Sequence, residues 1–226
     1  MIRLTMVKNW LTIIFAVSLF LVQCTGNKKK EKIVIEPEAV AIEVKDSSFL
    51  FNGKNLAGWE ITNFGPQGPV SVSGNEIILG MGEGCTGITW KGKFPEMNYR
   101  VTLDAKRVSG NDFFCGMTFP VEKDPCTLIV GGWGGTVVGL SSINKKDASE
   151  NETTKHMNFE TDRWYRICLI VKEDTIKTLI DDEVVVDFVK GNKMLSIRPE
   201  VDLSKPFGIT SWYTTAALRN IRLERI

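Results

Sequence analysis

The stretch RWYRICLIVKEDTIKTLIDDEVVVDF, Arg163 to Phe188, decides the fold class. Trp164 to Val171 and Thr175 to Ile180 are runs rich in β-branched and aromatic residues, and the polar Lys172-Glu173-Asp174 between them suits a hairpin loop. Asp181-Asp182-Glu183 supplies another turn, after which Val184 to Phe188 reads as a third strand. Within the first strand Arg166 points away from the face that carries Ile167 and Leu169, the alternation of a half-buried strand.

The same pattern continues in both directions. Val70 to Leu79 reads as two short strands around a Gly74-Asn75 turn, and Tyr99 to Val108 alternates Val101, Leu103 and Ala105 against Arg100, Thr102, Asp104 and Lys106. Phe113 to Val121 is apolar throughout, as in a strand covered on both faces. Thr127 to Ser142 is two apolar strands flanking a glycine-rich turn, and Leu218 to Ile226 closes the chain as a last strand. Ten or more short strands with regular turn signals and almost no helical periodicity predict one all-β, two-sheet sandwich.

Gly131, Gly132, Gly134 and Gly135 crowd around Trp133. A phosphate-binding loop would need a helix to begin immediately afterwards, whereas Val137 and Val138 are strand formers. The cluster therefore reads as a strand-edge turn that presents Trp133. Trp59, Trp90 and Trp164 stand in frames that read as core.

The N-terminus has a different character. Arg3 and Lys8 precede an apolar run from Trp10 to Val22, which is short for a membrane span and suits the core of a signal peptide. The run ends at Leu21-Val22-Gln23-Cys24, which resembles a bacterial lipobox, although Gln23 stands where a smaller residue is usual. The expected organisation is a lipoprotein signal peptide at 1–23, a tether at 24–45 with Cys24 lipidated, and one β-sandwich domain at 46–226. That organisation places the protein in the bacterial cell envelope, anchored to the membrane by its lipid. Formal net charge is +1, and loss of Arg3 and Lys8 leaves about −1. A nearly neutral domain without a basic stripe is a poor binder of phosphate backbones, so no nucleic-acid partner is expected.

The motif LFNGKNLAGW, Leu50 to Trp59, resembles the opening strand and turn of the 3-keto-disaccharide hydrolase domain family, exported bacterial proteins with a concanavalin A-like jelly-roll fold. The stretch from Arg163 to Phe188 and FGITSW, Phe207 to Trp212, fit the same resemblance, which covers Phe49 to Ile226. GNDFFCGMTFPV (Gly110 to Val121), GGWGGTVVGLSSI (Gly131 to Ile143) and DASENETT (Asp147 to Thr154) resemble a sub-branch. Its commoner relatives carry a Glu-x-Gln-like strand where this chain has the tryptophan–glycine turn. The resemblance implies a concanavalin A-like jelly roll and a hydrolase acting on 3-keto-glycosides. The alternative is a non-catalytic carbohydrate-binding module of the envelope.

Cleavage of a 3-keto-glycoside by elimination needs a base for the C2 proton, an acid for the leaving oxygen and a donor or cation for the enolate oxygen. The catalytic candidates are Asp112, Glu150, Glu152 and Arg166. Asp112 reads equally as a base, a metal contact or a turn aspartate. Glu150 and Glu152 read as acid–base groups or as members of a solvated loop, and Arg166 as an enolate-stabilising cation or a cross-strand ion-pair partner. Trp133, Trp212 and Asn151 are the substrate-binding candidates. No cofactor is expected as a requirement. An oxygen-rich group of Asn144, Asp147, Asn151 and Glu152 offers calcium a place, without the spacing of an EF-hand. His156 is the sole histidine, which excludes a multi-histidine metal site. Cys85, Cys115, Cys126 and Cys168 have irregular spacing and are expected to be free core thiols rather than bridges.

Overall fold

The computed structural model describes residues 47–226. Its strands are β1 (Ser47–Phe49), β2 (Trp59–Ile61), β3 (Val70–Ser73), β4 (Glu76–Leu79), β5 (Cys85–Trp90), β6 (Tyr99–Gly110), β7 (Cys115–Val121) and β8 (Asp124–Gly132). They continue with β9 (Val137–Ser141), β10 (Lys155–His156), β11 (Tyr165–Val171), β12 (Thr175–Ile180), β13 (Glu183–Val189), β14 (Gly208–Trp212) and β15 (Thr214–Arg225). One 3-10 helix, Pro199–Ser204, precedes β14.

The strands form two antiparallel sheets. The eight-stranded sheet runs β13-β12-β11-β6-β15-β4-β3, with β1 added alongside β15, and the seven-stranded sheet runs β10-β9-β8-β7-β14-β5-β2. The fold is thus the expected all-β two-sheet sandwich. Period-two alternation delivers the core: Tyr99, Val101, Leu103 and Ala105 of β6 and Ile167, Leu169 and Val171 of β11 face Met117, Phe119, Leu128 and Leu140 from the opposite sheet.

The hairpin read at Arg163 to Phe188 is present, with Ile167 opposite Ile180 and Val171 opposite Ile176. The turn at Gly74-Asn75 is present as well, and both residues adopt positive φ. Three elements differ from the reading. The last strand begins at Thr214 rather than Leu218, because Thr214 to Arg225 pairs along the whole of β6. Strand β5, CTGITW, carries no alternation because it is buried on both faces. Trp164 is not core: it lies half-buried on the outer face of the eight-stranded sheet, between the cations of Lys106 and Arg219 at 4.8 and 4.0 Å.

The LFNGKNLAGW motif is an architectural knot. Asn52 accepts hydrogen bonds from the backbone of Lys54 and Asn55 at 2.8 and 3.0 Å, while the indole of Trp59 donates to Leu50 O at 2.8 Å. Gly58 permits this closure, since any side chain there would collide with the Trp90 ring. The four cysteines of the domain are free, and Cys85, Cys115 and Cys126 are buried. Cys24, the signal peptide and the tether lie outside the described residues.

Candidate functional site

The seven-stranded sheet has an outward face built from short side chains. Ser141, Thr127, Thr118, Gly208 and Thr89 stand opposite one another across five strands, and Gly139, Ile129, Gly116, Thr210 and Gly87 form the neighbouring row. Ser204 closes onto Gly208 and the loop carrying Ala148 and Thr153 onto Gly139, while a cleft of about 240 Å³ opens over Thr127, Ile129 and Ser141. Its floor includes Cys85, Thr127, Ile129 and Ser141; its walls are Asp112, Phe113, Trp133 and Trp212 on one side and Arg198, Glu200 and Val201 on the other.

The Asp112 wall is fixed by backbone donors. Oδ1 of Asp112 accepts from Phe113 N at 2.7 Å, and Oδ2 accepts from Gly134 N at 3.4 Å, tying the β6–β7 turn to the glycine turn between β8 and β9. Trp133 at the tip of that turn has φ 47° and is 42% exposed, so a large apolar ring is held out over the cleft. Phe113 and Trp212 stack with their ring centres 6.4 Å apart. Together these three aromatic residues supply flat apolar surfaces of the kind that a sugar ring covers well.

The opposite wall is a charged group. Arg198 donates to Asp147 through Nη1 and to Glu200 through Nη2 at 2.8 Å. Asp147 is itself held by the Ser141 and Ser142 hydroxyls at 3.3 and 3.0 Å. The hydrogen bond from Arg198 holds the Glu200 carboxyl below its ordinary value, and the same contact raises that of Arg198. Both groups therefore remain ionised at neutral pH. Burial, with a secondary push from the Glu200 charge, moves the Cys85 thiol up to about 12, so it stays protonated in the cleft.

Of the residues expected to form the site, Asp112, Trp133 and Trp212 come together in this cleft. The others do not, and the expected grouping of Asp112, Glu152 and Arg166 is corrected here. Arg166 is exposed on the eight-stranded sheet, opposite Asp104, because its strand belongs to the other layer. Glu152 pairs with Lys193 at 3.1 Å, and Glu150 sits in the turn that its amide closes onto Asp147 O. Asn151 is buried and donates to the carbonyls of Leu140, Lys146 and Asp147, so it organises its loop instead of facing a ligand.

The proposed calcium group is likewise not assembled. Asp147 is taken by Arg198 and the serines, Asn144 accepts from Met194 N, and Asn151 is consumed by backbone. No group of three or more His, Cys, Asp or Glu side chains suited to a metal occurs among the described residues. Arg198 and Glu200 were missed from the sequence. The signal available was Arg198-Pro199-Glu200, two opposite charges around a proline between apolar segments.

Residues 46–224 match the family of 3-keto-alpha-glucoside-1,2-lyase-like domains. The chain belongs to this family. No curated protein matches it. Among solved structures, a protein of unknown function with a galectin-like fold from Bacillus subtilis is 12% identical, with a TM-score of 0.57 over 79% of this chain and 94% of that one. The carbohydrate-binding module CBM66 from Bacillus subtilis is 16% identical, with a TM-score of 0.51 over 74% and 95%. A laminarinase from a Flavobacterium species is 12% identical, with a TM-score of 0.51 over 81% and 100%. These likenesses show the fold alone, a two-sheet jelly roll that a laminarinase and a carbohydrate-binding module both adopt.

Proposed function

We propose that this domain cleaves 3-keto-glycosides in the cleft above the seven-stranded sheet. The observation that carries the reading is the convergence of two carboxylates, one guanidinium and three aromatic rings on one concave surface, in a lyase-like domain. The ketone at C3 acidifies the C2 proton. Asp112 removes that proton, and the electron pair forms the enolate, whose oxygen faces the Arg198 guanidinium. Collapse of the enolate breaks the bond from C1 to the glycosidic oxygen, and the proton on Asp112 passes to that leaving oxygen. Water then adds across the resulting double bond, with oxygen to C1 and hydrogen to C2, giving the free 3-keto sugar. Trp133, Phe113 and Trp212 hold the ring while Glu200 keeps Arg198 oriented.

The test follows release of a chromogenic leaving group from a 3-keto-glucoside, with the unoxidised glucoside in parallel and the reaction run in deuterated water. Cleavage of the keto substrate alone, with deuterium at C2, supports the elimination route. Equal cleavage of both substrates overturns it in favour of displacement.

A second reading is a glycan-binding module without catalysis. It is favoured by the floor, where the polar groups are neutral hydroxyls, and by the carboxylates, each of which already accepts a hydrogen bond. Saturable glycan binding with cleavage of neither glucoside would establish it.

Export and anchoring belong to the same proposal. The apolar run ending at Cys24 supports a lipid-anchored protein of the bacterial envelope. Incorporation of labelled palmitate that is lost in Cys24→Ser supports it, and equal incorporation in both overturns it.

A further inference from the structure

We infer that Arg107 is the positioning residue of the cleft, clamping the Asp112 turn and the Trp133 turn to one another from below. Arg107 stands on β6 and is only 6% exposed. A buried guanidinium normally meets a carboxylate, yet among the described residues Arg107 forms no ion pair. Its Nη2 donates instead to three backbone carbonyls, Asp112 O at 3.3 Å, Gly131 O at 3.3 Å and Gly135 O at 3.0 Å, while Nη1 reaches Phe159 O at 3.5 Å. The plane also lies 5.2 Å from the centre of the Phe114 ring.

These contacts explain the sequence above them. Gly131 and Gly135 bracket Trp133, and a Cβ on either would stand 2.7 or 3.3 Å from Arg107 Nη2. Both glycines also have positive φ, 78° and 106°. The turn is therefore shaped to lower its carbonyls onto a cation. Asp112 completes the clamp from above by accepting from Gly134 N. The two segments that carry the candidate base and the exposed platform thus share one buried charge, and neither can shift without breaking the set. The clamp is a property of the fold; its value to catalysis or binding rests on the function proposed above.

Hydrogen exchange tests the clamp without any substrate. In the full-length protein, Arg107→Met should speed exchange of the amides of Phe113, Gly134, Gly135 and Thr136 by about tenfold or more, as expected for loss of charge-assisted hydrogen bonds. Amides of β11 and β12 should keep their wild-type rates. Arg107→Lys, which keeps the charge without the planar fork, should give an intermediate rate at the same amides and serves if the methionine variant fails to fold. Faster exchange in only one of the two turns would overturn the coupling. Uniformly faster exchange throughout both sheets would show that Arg107 merely supports the fold. Cleavage or glycan affinity measured on the same variants should fall with the loss of protection. Intact protection with reduced function would also overturn the clamp, whereas lost protection without any measurable function would leave it standing and count against the proposed activity.

Discussion

Nη2 of Arg198 lies 2.8 Å from Oε1 of Glu200 at the edge of the cleft, on either side of Pro199. This contact depresses the Glu200 pKa, and the sign of the consequence is fixed. A carboxyl with a depressed folded value contributes stability in full above its unfolded value and loses that contribution as the pH falls through the folded one.

Replacing Arg198 with Met should return Glu200 towards the ordinary value of about 4.3 and remove the loss of unfolding free energy that wild type shows as the pH falls through the depressed value. A pH profile between about 3 and 6 reads the shift. Coincident profiles of unfolding free energy against pH in wild type and variant would show that the Arg198 contact does not set the Glu200 ionisation.

Residues in the cleft and residues outside it should separate by magnitude. Asp112→Asn and Arg198→Met are expected to lower the rate of cleavage by about a hundredfold or more, the usual scale for a base or an oxyanion-stabilising group. Glu150→Gln and Arg166→Gln should stay within about twofold, as surface changes do. Initial-rate measurements on the keto-glucoside decide this, and a large loss in Arg166→Gln would return the site to the other sheet.

The aromatic walls predict an effect on affinity rather than on folding. Trp133→Ala and Trp212→Ala should each weaken glycan binding by about tenfold, a stacking contribution of roughly 1.4 kcal/mol. Because Trp133 is 42% exposed, its removal should change unfolding free energy by less than about 0.5 kcal/mol. Titration calorimetry and urea unfolding measure the two quantities separately.

The core makes its own prediction. The fully buried Tyr99 hydroxyl donates to Pro120 O at 2.6 Å, and Tyr99→Phe leaves that carbonyl without this partner. A loss of about 1 kcal/mol is expected in urea unfolding.

Thiol chemistry checks the cysteines. Burial pushes Cys85, Cys115 and Cys126 each up to about 12, so the native protein at neutral pH should alkylate them very slowly, with half-buried Cys168 reacting first. In urea all four should react without a reductant, as peptide mapping would show.

Much of this architecture was legible because a strand announces itself through alternation and its turns. Tyr99 to Val108 and Arg163 to Phe188 have one wet face, and their strands stand where the alternation puts them, with Trp164 on the outer face instead of in the core. Strand β5 was not, because covering both faces erases the alternation that reveals a strand. The site was only half legible for a different reason. Asp112 and Trp133 sit beside their strands in local frames that suggest a turn and a platform. Arg198 and Glu200 reach the cleft through a long connection, and which sheet a strand joins is a non-local fact. Arg166 looked equivalent to a cleft residue for that reason, although its strand lies in the opposite layer. LFNGKNLAGW closes its own backbone through the Trp59 indole on Leu50 O and gives no side chain to the lining of the cleft.

Strand β8 sends Cys126, Leu128 and Val130 into the interior and Thr127 and Ile129 towards the cleft. The pleat thereby separates what holds the protein together from what a ligand meets, within a single run of sequence. Exchanging Thr127 for another short side chain would therefore alter what a ligand meets while leaving the interior packing of Cys126, Leu128 and Val130 in place.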